Sequence, residues 1–210
     1  MTIEKSQKSL VAHLVRKSLW TIGIVGAFGV AILVGSSLSA YNNEPGHKLP
    51  CVWEYEENTT LEVPYRYDPI GDDYRDAFRD GIEEWDDADT AAEFTYITSQ
   101  TKHRLGDENR PGNGYDGYIE MSCNKLPKLK RTRTYAWLNS AYLDDENARY
   151  KRSIATHELG HFIGAGHSTE SPAVMNTDRD NEQRYRVYED DECAINDRYE
   201  HEDYEVTCDD

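Results

Sequence analysis

"IATHELGHFIGAGHSTESPAVMN", Ile154 to Asn176, holds three of the chain's seven histidines within eleven residues. Residues i and i+4 of a helix share a face, so His157 and His161 can point at one metal ion. Glu158 stands about 100° around the helix from His157, close enough to act on a ligand of the metal without binding the metal. Gly164 ends the helix, because glycine tolerates the positive φ that a sharp turn needs. His167, six residues past His161, can then swing back as a third ligand. Three imidazoles leave a fourth position open, which marks a catalytic rather than a structural zinc site. Zinc lowers the pKa of bound water to around 7 and polarises a carbonyl. Glu158 is the expected general base, and the reaction expected is hydrolysis of an amide bond. An intact Glu158 argues against the alternative, a non-catalytic zinc-binding surface protein.

Outward from this stretch, "DDENARYKRSIATHELGHFIGAG" reads as one long helix, with Asp144 or Asp145 as its cap. An earlier helix is expected over "GDDYRDAFRDGIEEWDDADT", where Tyr74, Phe78, Ile82 and Trp85 recur on one face behind an acidic start. "VYEDDECAINDRYE" predicts a third, C-terminal helix. Strands are expected around Leu61 to Tyr67 and in "AEFTYITS", "YIEMSC" and "TYAWLNSAYL". "HRLGDENRPGNGYDG" is turn-rich and reads as a loop. Strands that precede few helices indicate an α+β domain with a mixed or antiparallel sheet.

The chain has 210 residues and a formal net charge of −17. Phosphates would be repelled by so acidic a surface, so nucleic acid is not an expected partner. The N-terminus is different. Lys5, Lys8, Arg16 and Lys17 precede an uncharged run from Ser18 to Asn43 with an apolar core, Leu19 to Val34. Basic residues before such a run predict export of the chain beyond it, with residues 1–40 as a signal peptide or an uncleaved anchor. The membrane is then a partner only through that segment. Residues 41–50 read as a linker, and 51–210 as the catalytic domain. Beyond Ala40 the chain keeps 19 of its 23 basic and 39 of its 40 acidic residues, a net of −20. All four cysteines lie in the exported part, which suggests two disulfides. Three pairings are possible; Cys193–Cys208, closing a short C-terminal loop, with Cys51–Cys123 is favoured. Nothing points to an obligate dimer, and a monomer is expected.

"HELGHFIGAGHS" resembles the extended zinc signature of the metzincin metallopeptidases. Met175, eight residues after His167, matches that group's Met-turn beneath the metal. Ser168, "SPAVM" and the paired acids of "YEDDECAINDRYE" are similar to the matrixin branch, and Thr177 stands where the astacin and serralysin branches carry tyrosine. The resemblance runs from about Leu61 to Tyr199. It implies a twisted mixed sheet with two long helices and a C-terminal helix. It also implies one catalytic Zn2+ on His157, His161 and His167, Glu158 as catalytic residue, support from Gly164 and Met175, and a protein or peptide substrate. The substrate is expected to lie extended along an edge strand within Arg133 to Leu138, and the pocket next to the metal to be walled by Met175 to about Tyr185. No cysteine switch is expected, since "LPCVW" lacks the motif. With His103 the only histidine between Pro50 and His157, no second zinc is expected either. Asp107, Asp116, Asp144 and Asp145 are possible Ca2+ ligands, although a solvated acidic face is the preferred reading of them.

Overall fold

The face predicted from Tyr74, Phe78, Ile82 and Trp85 is buried in α1 (Asp72–Asp86). The structure is a computed structural model that describes residues 31–35, 51–56, 59–124, 130–170, 172–178 and 184–199. The other expected elements are present as β2 (Leu61–Tyr67), β3 (Ala92–Tyr96), β5 (Gly117–Cys123), α3 (Ala148–Ile163) and α4 (Glu189–Arg198). β1 (Ala31–Gly35) is the described end of the apolar N-terminal run; the rest of that run, and all of the 41–50 linker, lie outside the described residues. Among the described residues no helix is long and apolar enough to cross a membrane.

Three expectations about single elements need correction. "HRLGDE" is not loop but β4 (His103–Glu108), an interior strand. A strand paired on both sides is held by its neighbours, so it needs few apolar residues of its own; here only Leu105 and Gly106 are buried. "TYAWLNSAYL" is split: β6 (Arg131–Asn139) ends at Asn139, whose side chain accepts from Ala141 N–H and starts the short helix α2 (Ser140–Leu143). The long helix is capped by Asn147, which accepts from Tyr150 N–H, and not by Asp144 or Asp145. Asp144 closes α2 instead.

The sheet order is β1-β5-β6-β4-β2-β3. β2, β3, β4 and β6 run parallel, and β5 runs antiparallel to β6, with Gly117 opposite Leu138. β5 therefore lies outside β6, and its outer edge is paired antiparallel with β1. This overturns the expectation of an edge strand within Arg133 to Leu138. Those residues are paired on both sides: Leu138 faces Gly117 on one side and Asp107 on the other. A strand hydrogen-bonded along both edges has no donors and acceptors left for a peptide.

α1 and α3 cross closely. Gly81 makes this possible, because a Cβ there would stand 3.0 Å from both Leu159 Cδ1 and Thr156 Oγ1. Trp85 Nε1 donates to Thr156 O at 2.8 Å and locks the pair. Phe78, Trp85, Leu105, Leu138, Leu159 and Phe162 fill the core. The Cys51–Cys123 disulfide forms as expected, tying the start of the domain to the end of β5. Cys193 is also disulfide-bonded, and its expected partner Cys208 lies outside the described residues.

Candidate metal centre and active site

α3 carries the candidate residues in its last two turns. His157, Glu158 and His161 are each only 1% exposed. The helix stops at Gly164, with φ of 131°, a conformation that side-chain-bearing residues rarely adopt. That turn sends the chain back so that His167 reaches the other two histidines. Ser168 N–H then donates to Met175 O at 3.0 Å and fixes the return loop against the Met175 turn.

The three rings surround one point, with centroids 4.7, 4.7 and 5.2 Å apart. Their ligand atoms lie within 4.8 Å of one another, and this is the only such His/Cys/Asp/Glu group among the described residues. The tautomers can be assigned from the partners. His157 Nδ1 meets Val174 O at 2.8 Å and His161 Nδ1 meets Ala165 O at 2.9 Å. A carbonyl can only accept, so each Nδ1 carries the proton and each Nε2 keeps its lone pair for a metal. His161 Nε2 and His167 Nε2 stand 3.1 Å apart. Two nitrogens at about 2.0–2.1 Å from a tetrahedral zinc are separated by roughly 3.3 Å, so the donor set fits that ion in type, tautomer and spacing.

The surroundings hold features that motif reading missed. Asp191, fully buried on α4, accepts from Val174 N–H (2.8 Å), Met175 N–H (3.0 Å) and Tyr188 N–H (3.0 Å). It thereby clamps the turn whose carbonyl orients His157. Burial pushes its carboxyl up to about 7, against the pull of those three donors. The paired acids were visible in the sequence, but only the packing shows which of them faces inward. Gly160 lies under the site: a Cβ there would overlap Met175 Sδ and stand 2.8 Å from Trp85 Cζ2. Gly117 does the same for Glu158, since a Cβ on it would stand 2.9 Å from Glu158 Oε1. The first residue of β5 thus lies against the candidate base.

The end of α3 exposes carbonyls that Gly164 leaves without helical partners. Side chains supply them. Trp53 Nε1 donates to Phe162 O at 2.9 Å, Tyr199 Oη to Ile163 O at 2.6 Å, and buried Arg131 to the carbonyls of His161 and Phe162. A cation at a helix C-terminus also meets its partial negative charge. His103 packs against Trp53, with ring centroids 4.3 Å apart and the planes tilted by 45°, and its pKa is lowered to about 4 by burial first and by Arg131 and Lys102 next.

The calcium candidates do not converge. Asp107 accepts from Gly71 N–H, Asp116 from Tyr150 Oη and Asp144 from Tyr74 Oη, while Asp145 is exposed. The pocket wall expected from Met175 to Tyr185 is described only in part, because residues 179–183 lie outside the described residues.

Fold and site together define a metallopeptidase of the metzincin group. The chain matches the matrixin peptidases over residues 53–200 and belongs to that family. It therefore holds a matrixin-type zinc protease domain, acting on proteins or peptides. Among solved structures it is similar to high choriolytic enzyme 1, a hatching enzyme zinc-protease from Oryzias latipes (medaka fish). Identity is 13%, the TM-score 0.47, and the match covers 72% of this chain and 95% of that one. None of the curated proteins compared with it is a match.

Proposed function

We propose that the chain is an exported zinc endopeptidase with Glu158 as its general base. The observation that carries this reading is a buried carboxylate beside three converging imidazoles, at the start of the outermost strand of the domain. Zinc, when bound by His157, His161 and His167, supplies Lewis acidity toward the scissile carbonyl and lowers the pKa of a water ligand to around 7. Val174 O and Ala165 O hold two of the imidazoles in the tautomer this requires. Glu158 takes a proton from the attacking water as the new C–O bond forms, and returns it to the amine nitrogen as the C–N bond breaks.

The outer edge of β5 is where a peptide would lie. That edge accepts a strand: Ala31–Gly35 pairs there antiparallel, Ala31 opposite Ser122 and Gly35 opposite Tyr118. A substrate strand taking the place of Ala31–Gly35 on that edge runs toward Gly117 and Glu158. The N-terminal segment directs the domain out of the cytoplasm and either is removed or anchors it.

The test is cleavage of a diverse peptide library by zinc-loaded protein, with Glu158→Ala in parallel. Loss of cleavage by more than about 100-fold in the variant, at unchanged zinc content, is expected. Zinc-loaded wild type that cuts nothing would replace this reading with a non-catalytic zinc-binding protein of the same fold.

A further inference from the structure

One turn before His157, on the same face of α3, sits Ser153, fully buried. Its Oγ donates to Arg184 O at 2.7 Å. Residues 184–186 are thereby held beside the helix about 6 Å along its axis from the first metal ligand. The ring of Tyr185 gathers three guanidiniums there. Arg152 Cζ lies 4.7 Å from the ring centroid, Arg149 Cζ 5.6 Å and Arg186 Cζ 5.9 Å. Arg152 also pairs with Glu84 of α1. Arg149 and Arg186 are exposed, and neither has a carboxylate partner among the described residues.

This is unexpected in a chain with 40 acidic and 23 basic residues, where a cation readily finds an acid. The aromatic face explains how the cluster is held, since guanidiniums stack on tyrosine without losing their charge. What remains among the described residues is a pair of guanidiniums over the first turns of α3, Arg149 standing eight residues and about 12 Å along the axis from His157, on a molecule whose overall field repels anions.

We propose that Arg149 and Arg186, braced on Tyr185, form a subsite for an acidic side chain of the substrate, flanking the scissile bond on the side of the N-terminal half of α3. This rests on the peptidase reading and adds its specificity. Two partly solvated guanidinium–carboxylate contacts give about a tenfold preference for Glu over its neutral isostere Gln, a preference that shrinks as salt screens it.

The experiment uses peptides that differ only by Glu or Gln at successive positions around one cleaved bond. It reads kcat/KM with the wild-type chain, and equilibrium binding to the zinc-loaded Glu158→Ala chain. One position is expected to favour Glu about tenfold in both readings. In Arg149→Gln/Arg186→Gln the ratio falls to about 1, and in Arg149→Glu/Arg186→Glu it turns toward Gln. No position favouring Glu, or a ratio that survives the double substitution, would overturn the subsite. If the wild type cuts no peptide, the peptidase reading fails by itself, and the binding ratios still decide for or against the subsite.

Discussion

Gly160→Ala probes the joint between fold and metal centre. Gly160 lies between His157 and His161 in sequence and faces the Met175 turn. In a solvated helix the change would gain about 1 kcal/mol from propensity. Here the added Cβ overlaps Met175 Sδ and stands 2.8 Å from Trp85 Cζ2 and 3.2 Å from Met175 Cε. Trp85 cannot retreat without breaking its bond to Thr156 O, and the Met175 turn is clamped by Asp191. Overpacking of this kind costs up to about 3 kcal/mol, which outweighs the propensity gain and leaves a net loss of about 2 kcal/mol. For a domain of this size that lowers Tm by roughly 4–8 °C. The displaced turn carries Val174 O, which orients His157, so zinc affinity should fall about tenfold or more. Urea unfolding and competitive zinc titration measure the two effects. In a Met175→Ala background the main overlap is gone, and adding Gly160→Ala should then cost about 2 kcal/mol less than it does alone. A Gly160→Ala chain as stable as wild type, or one whose cost is the same with Ala at 175, would refute the overlap as the cause.

Two more outcomes are expected from the same structure. The folded pKa of His103 lies below its ordinary value of about 6.5, so its contribution to stability is complete above pH 6.5 and is lost as pH falls toward 4. Allowing for partial exposure, the wild type should lose about 1 kcal/mol more than His103→Phe between pH 7 and pH 5, measured by urea unfolding; parallel curves would count against a buried neutral imidazole. Chelation should lower Tm reversibly, because zinc at about 100 times its Kd adds roughly 2.7 kcal/mol. A Tm that ignores both chelator and added zinc would mean that the histidines hold no ion.

Ile154 to Asn176 carried most of the site in plain view, because the parts that must share one ion are close in sequence. Helical spacing sets His157 beside His161, and Gly164, having no Cβ, permits the turn to His167. The burial of Tyr74, Phe78, Ile82 and Trp85 was likewise readable, since a helix's inner face repeats locally. What the sequence could not decide are matters of pairing between distant segments. Nothing local in "HRLGDE" shows that it is an interior strand, because its neighbours β6 and β2 hold it there. Nothing local distinguishes β5 from β6 as the outer strand, since edge position depends on topology and not on composition. Asp191 and Gly117 reach the site from α4 and β5, about 34 and 40 residues from the motif, through contacts that exist only once the layers have packed. Local spacing set the three candidate ligands side by side, and the tertiary fold decided what aims them and which strand lies beside Glu158.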